Sequence, residues 1–75
     1  MNEVEALALT GVEELAKDLA LAELPIYIKY LRGRVAHWET DGIDGKIMHA
    51  PRIAFLNWEI KESNAIIVAI GGTAI

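Results

Sequence analysis

The sequence predicts an α+β domain in which one N-terminal amphipathic helix packs on a small antiparallel β-sheet of three to five strands. Three observations favour this class. Apolar residues recur at helical spacing near the N-terminus, two Asp-Gly pairs interrupt the middle of the chain, and the segment from Arg52 to Ile70 is rich in β-branched and aromatic residues. The 75 residues contain no cysteine, so we expect one domain, residues 1–75, without disulfide support.

The N-terminal helix is predicted from about Glu3 to Ala22, and a kink is allowed near Gly11. Two pairs of residues have the pattern of a capping box, in which a side-chain oxygen accepts a free backbone N–H: Asn2 with Glu5 and Thr10 with Glu13. An apolar stripe at helical spacing follows, formed by Val12, Leu15, Ala16, Leu19 and Ala22. This stripe is expected to face the sheet.

Pro25 is expected to end the helix, because proline has no amide donor and disfavours the α conformation of the preceding residue. The segment Ile26 to Leu31 is then open to two interpretations. Its alternating apolar residues favour a strand. Pro25 before it and Gly33 after it would equally frame a short helix. We favour the strand.

A hairpin is predicted in the middle of the chain. Its strands are Arg34 to Thr40 and Lys46 to His49, and its loop is Asp41 to Gly45, where the Asp-Gly pairs favour turns. Pro51 would place the second strand at an edge or bend it into the next one.

The segment Arg52 to Ile70 is predicted to be a second hairpin with its turn at Ser63 and Asn64. Ala65 to Ile70 is an uninterrupted apolar run, and no charged residue occurs from Ser63 to Ile75. A strand of this kind needs cover on both faces, so it is expected at the centre of the sheet or in an interface. The glycines after it are expected to form a tail.

Few residues suggest catalysis or metal binding. His37 and His49 could approach each other across the predicted loop, with a nearby carboxylate, but their spacing matches no recognised zinc or calcium pattern. No nucleophile stands in a recognisable catalytic pattern. We therefore expect a protein that is not an enzyme and has no cofactor, metal or small-molecule substrate.

Charge is distributed unevenly along the chain, whose formal net charge is −4. Residues 1–23 contain six acids and one lysine, whereas residues 24–37 contain only Lys29, Arg32 and Arg34 as charged residues. Direct nucleic-acid binding is not expected, because a net negative charge opposes phosphate binding. No apolar run approaches the ~20 residues of a membrane-spanning helix, and we expect a cytoplasmic protein.

More than half of the residues, 53%, are apolar, which is a surplus for so short a chain and points to burial against another chain. The first hypothesis is a small protein-binding module, encoded by a virus or mobile element, that inhibits a larger nucleic-acid-binding host assembly by docking through an acidic face. The alternative is a self-assembling structural subunit that pairs through its apolar C-terminal strand. The candidate partner-binding residues are Glu13, Glu14, Asp18, Arg32, Arg34 and Trp38.

Overall fold

The protein is a helical hairpin, so the predicted α+β fold is wrong. The computed structural model describes the backbone of residues 3–75 and the side chains of residues 11–75. In this range it has three helices and no strand: α1 is Glu3–Glu39, α2 is Gly45–Met48 and α3 is Ala50–Ala69. The helix start proposed at Asn2 lies outside the described residues. Thr10, the other proposed start, lies inside α1.

The two long helices pack against each other in antiparallel orientation. Their shared core is small: Ile28 and Leu31 from α1 are almost completely buried against Leu56 and Ile67 from α3. Tyr27 of α1 donates a hydrogen bond to the Glu59 carboxylate of α3, which links the two helices at the surface. The carboxylate also raises the pKa of Tyr27, because it accepts that hydrogen bond and disfavours a second negative charge nearby.

The segment predicted to be a C-terminal hairpin is instead the single helix α3. The residues that face α1 follow the seven-residue spacing of packed helices: Ile53, Leu56, Ile60, Ser63 and Ile67. Ser63, predicted to lie in a turn, is buried at this seam. The run Ala65 to Ile70 is apolar on both sides of a helix rather than on both faces of a strand, and the strand prediction for it was wrong.

Pro25 lies inside α1 and does not end it. The helix loses only the hydrogen bond that residue 25 would donate to residue 21, a cost of about 3 kcal/mol in an unsupported helix. Ile28 and Leu31 on the C-terminal side are buried against α3, and we attribute the continuity of α1 to this packing. The interpretation of Ile26 to Leu31 as a strand is therefore wrong.

The predicted middle hairpin is a tight connection between helices. α1 continues to Glu39, and the Thr40 hydroxyl donates to the Ala36 carbonyl at 2.8 Å. Gly45 then begins α2 so close to α1 that a Cβ atom on it would lie 2.6 Å from the Trp38 carbonyl oxygen. Only glycine permits this approach. Of the predicted loop, residues 41–44 do form an irregular turn.

Two glycines close α3 at its C-terminus. Gly71 has a positive φ of 96°, its N–H donates to the Val68 carbonyl, and the Gly72 N–H donates to the Ile67 carbonyl. This is the Schellman arrangement of a helix end. The chain then turns back, and the backbone of Ile75 makes two hydrogen bonds of 2.9 and 3.0 Å with the Asn64 side chain.

The molecule is elongated, with extents of 61 × 18 × 14 Å and a radius of gyration of 17.5 Å. A compact domain of 75 residues would have a radius of gyration of about 11 Å. The accessible surface is 5583 Å², whereas a typical folded protein of this mass, 8.2 kDa, exposes about 4500 Å². The chain alone therefore leaves roughly 1000 Å² more surface in water than its size requires.

The packing of α3 makes a prediction on two neighbouring isoleucines. Ile67 is 2% exposed and Ile66 is 49% exposed. Replacing Ile67 by alanine should lower the free energy of unfolding by about 2–4 kcal/mol, and Ile67→Val by about 1 kcal/mol, because both open a cavity in the core. Ile66→Ala is the matched control and should change it by less than about 1 kcal/mol. Urea titration followed by circular dichroism measures all three; equal effects of the two alanine substitutions would contradict the packing.

The continuity of α1 makes a second prediction. Pro25→Ala should raise the free energy of unfolding by about 1–2 kcal/mol, because it supplies the missing helical hydrogen bond while making the unfolded chain slightly more flexible. The same urea titration reports it. If Pro25 ended the helix, the substitution would instead be neutral or destabilising.

Candidate functional site: the outer face of the first helix

Helix α1 has apolar residues on two opposite sides. At about 100° per residue, Ile28 and Leu31 point toward α3, and a second set lies on roughly the opposite side of the helix. We call this second set the outer stripe. Its members are Val12, Leu15, Leu19, Ala22, Ile26 and Tyr30, which are all exposed to solvent.

The outer stripe was found in part from the sequence, but its predicted direction was wrong. Val12, Leu15 and Leu19 were expected to be the buried side of the N-terminal helix. In the structure their side chains are more than half exposed, at 63%, 60% and 54%. The stripe faces away from α3 and lies on the same side of the helix as Ile26 and Tyr30.

The N-terminal part of α1 extends beyond its partner helix. α1 has 37 residues and α3 has 20, and the C-terminal end of α3 lies near Leu21, which is in contact range of Gly72. We call residues 11–20 of this extension the arm. Every side chain from residue 11 to residue 19 is exposed, so the arm has no cover along its length in this chain.

Three of the candidate partner-binding residues lie on the arm. Glu13, Glu14 and Asp18 are exposed, and the Glu14 carboxylate lies 3.6 Å from the Lys17 ammonium. An exposed pair of this kind contributes little to stability. On the arm the charged side chains occupy the flanks and the back of the helix, so its only apolar side is the outer stripe.

The outer stripe continues into an open groove of about 510 Å³ near the C-terminal end of α1. Its lining combines cations and aromatic rings: Lys29, Tyr30, Gly33, Arg34, His37 and Trp38. Arg34 donates a hydrogen bond to the Tyr30 hydroxyl at 3.1 Å, and its guanidinium carbon lies 5.9 Å from the centre of that ring. We call this surface the basic groove. The candidate residue Arg34 belongs to it.

Arg32, another candidate, lies outside the basic groove. Its guanidinium donates a hydrogen bond to the main-chain oxygen of Ile75. Together with Asn64, it holds Ile75 against the hairpin. The sequence placed Arg32 and Arg34 in one positive segment, and the helix separates them into a tail contact and a groove contact.

Trp38 is half-buried in a cluster of aromatic and cationic side chains at the turn end of the hairpin. The Arg52 guanidinium carbon lies 4.1 Å from the centre of the Trp38 rings, and the His49 ring centre lies 4.6 Å away. His49 is held in turn by the Asp41 carboxylate at 2.7 Å. Trp38 thus joins α1 to α3 and to the residue between α2 and α3, while one side of it lines the basic groove.

The indole N–H of Trp38 is buried and has no hydrogen-bond partner in the described part of the chain. Leaving such a donor unsatisfied costs about 1–3 kcal/mol. The Arg52 guanidinium over the Trp38 rings acts in the opposite direction, because a cation is attracted to the face of an indole.

The two histidines do not form a metal centre with the acids between them. His37 and His49 both contact the Trp38 rings. Across the described residues, no three side chains from histidine, cysteine, aspartate and glutamate are grouped closely enough to hold a metal ion. Among the same residues, no helix combines the length and apolarity needed to cross a membrane.

Helix α3 also presents an apolar outer surface that the sequence analysis assigned to a sheet. Phe55 and Trp58 are each 56% exposed and stack on each other with ring centres 6.1 Å apart. Ile66, also exposed, lies on the same side about two turns beyond Trp58. Sorting the apolar residues of both long helices at helical spacing would have found these two surfaces.

Searches of protein-family models, curated proteins and solved structures found no match to this chain.

The cluster around Trp38 makes a prediction about its fluorescence. In a Trp58→Phe background, in which Trp38 is the only tryptophan, Arg52→Ala should shift the emission maximum to longer wavelength, because it uncovers one side of the ring to water. Lys46→Ala removes an exposed cation from α2 and serves as the control. An emission maximum unaffected by Arg52→Ala would contradict the stacked geometry.

Proposed function

We propose that this protein is a small non-catalytic protein-binding module that docks through the outer face of α1. The observation that carries the proposal is the outer stripe itself, a line of exposed apolar side chains on the side of α1 that α3 does not cover. A contiguous exposed apolar surface of this kind is typical of an interaction site.

The form of the surface favours a helical partner. Apolar residues at three- and four-residue spacing fit the groove of another helix or helix pair. Charged residues border the stripe, with Asp18 and Glu23 near the arm and Lys29 and Arg34 near the basic groove. Such flanking charges select a partner and its orientation more than they add affinity.

The candidate residues take different parts in this proposal. Glu13, Glu14 and Asp18 form an acidic arm that attracts a basic surface, and Arg34 forms an opposite patch on the same helix. Trp38 lines the basic groove with one side of its ring system. We assign Arg32 to the tail contact, so its part in partner binding is indirect. A reducing compartment such as the cytoplasm suits a chain without cysteine.

The alternative of self-assembly through a C-terminal strand is withdrawn, because residues 65–69 are helical. Self-assembly by helix packing is compatible with the proposed function.

Site-specific crosslinking tests the proposal. A photoreactive residue in place of Leu15, on the outer stripe, should form one dominant crosslinked species with a protein, whereas the same residue in place of Lys17, on the opposite side of the arm, should not. The two positions are two residues apart and equally unprotected by α3. Equal crosslinking at both positions, or none at either, would contradict a binding function for the outer face.

A further inference from the structure

We propose that the occupant of the outer face is a second copy of this chain, packed antiparallel along α1 so that the arm of each copy lies on the basic groove of the other. This inference rests on the proposed function and names its partner. Three observations carry it: the sign of the charges along α1, the spacing of the outer stripe and the excess of exposed surface.

The charge along α1 changes sign near its middle. Of the charged residues from 11 to 23, four are acids and one is Lys17, whereas those from 24 to 37 are Lys29, Arg32 and Arg34. A parallel pair would place like charges side by side. An antiparallel pair places the acidic end of each helix beside the basic end of the other, and two copies related by a two-fold axis make this contact twice.

The spacing of individual residues agrees with a crossing near Ala22 and Glu23. With the axis midway between these two residues, Asp18 lies level with residue 27 of the second copy, and Lys29 of that copy lies two residues, about 3 Å, further along the helix. Asp18 and Lys29 are on the same side of their own outer stripe, as contact across an antiparallel interface requires. Glu23 lies close to its own counterpart at the axis, and this is the one like-charge contact.

The same crossing matches the apolar residues of the outer stripe. Leu19 lies level with Ile26 of the second copy, and Leu15 with its Tyr30. Val12 lies level with Gly33 of the second copy. Gly33 has no side chain, and a Cβ atom placed on it would meet no other part of its own chain within 4 Å. The Val12 side chain therefore has room at this position. The apolar end of the arm therefore enters the basic groove, and Lys29 of the groove borders Asp18.

The surface available is of the right size. The chain exposes roughly 1000 Å² more than a compact protein of its mass, and a stable dimer buries about 800 Å² on each partner. The outer stripe faces away from α3, so the second copy does not compete with the hairpin's own core. The two hairpins remain intact in this arrangement.

Sedimentation equilibrium of the full chain tests the dimer. The wild-type protein should show reversible association to twice its monomer mass. Leu15→Ser with Leu19→Ser should raise the dissociation constant by roughly 30-fold or more, because it removes two central apolar contacts from each copy. Val68→Ser is the matched control, since Val68 is 57% exposed on α3 and lies off the interface; its dissociation constant should stay within about 3-fold of wild type.

Charge exchange tests the pairing. Asp18→Lys and Lys29→Asp, each alone, should raise the dissociation constant by about 10-fold at low salt, because each places like charges together twice per dimer. The doubly substituted chain should recover most of the wild-type affinity. Two single variants that leave association unchanged, or a double variant weaker than both, would overturn the antiparallel pairing.

Disulfide formation tests the orientation. A mixture of Asp18→Cys and Lys29→Cys chains, which contain no other cysteine, should form the mixed disulfide faster than either chain forms a disulfide with itself. Preferential formation of the two self-linked products would indicate a parallel pair and overturn the proposal.

The dimer and the proposed function fail in different ways. A protein that stays monomeric at all concentrations, yet crosslinks to a different protein through position 15 and not through position 17, overturns the dimer and leaves the binding function in place. A monomer that instead binds phosphatidylcholine–phosphatidylglycerol vesicles through Leu15 and Leu19 overturns the dimer in favour of a lipid occupant. A monomer whose outer stripe neither crosslinks to a protein nor binds vesicles contradicts both the dimer and the proposed binding function.

Discussion

The structure depends on the continuity of α1 through Pro25. An unbroken helix of 37 residues places residues at three- and four-residue spacing on the same side over a length of roughly 55 Å. If the helix ended at Pro25, the stripe on the arm and the exposed residues around Ile26 would belong to unrelated elements. Because it continues, they form one line, and Ile28 and Leu31 remain available for α3 on the other side.

The two-sided character of α1 explains why so short a chain has so many apolar residues. Ordinary amphipathic helices bury one side and expose a polar one. Here the part of α1 that faces α3 is apolar on both sides, while the arm is apolar on its outer side alone. One side of α1 is buried in the small core of the hairpin, which is centred on Ile28 and Ile67. The other side is exposed to solvent, and it is there that we propose a partner docks.

Some of these features could be predicted from the sequence, and others could not. The helical spacing of Val12, Leu15 and Leu19 was recognised, and so were the turn residues from Asp41 to Asp44. The strand predictions failed because a helix that is apolar on two sides resembles a buried or alternating strand over six to eight residues. Ile26, Ile28 and Tyr30 alternate in sequence, yet Ile26 and Tyr30 share one side of α1 and Ile28 lies on the other. In α3 the seven-residue spacing from Ile53 to Ile67 was the signal that distinguishes a helix, and it requires a window longer than the apolar run itself.

The sequence singled out charged and aromatic residues as candidates for partner binding, but it did not predict where on the molecule each of them lies. Asp18 and Arg34 border the outer stripe, whereas Glu13 and Glu14 lie toward the back of the arm. Val12, Leu15 and Leu19, which form the stripe itself, were assigned to the core. The contacts of Trp38 with Arg52 and His49 depend on the helices that the turn joins, and the sequence predicted strands on both sides of it. The role of Arg32 in holding Ile75 depends on residues 43 positions apart, a separation at which sequence periodicity carries no information.

The most direct test of this account is the set of backbone NMR chemical shifts from residue 11 to residue 70. The account predicts Cα shifts displaced in the helical direction without interruption from the arm through Pro25 to Glu39, and again from Ala50 to Ala69. Shifts displaced in the strand direction over residues 26–31 or 65–70 would contradict it, because neither the outer stripe nor the hairpin core could then exist.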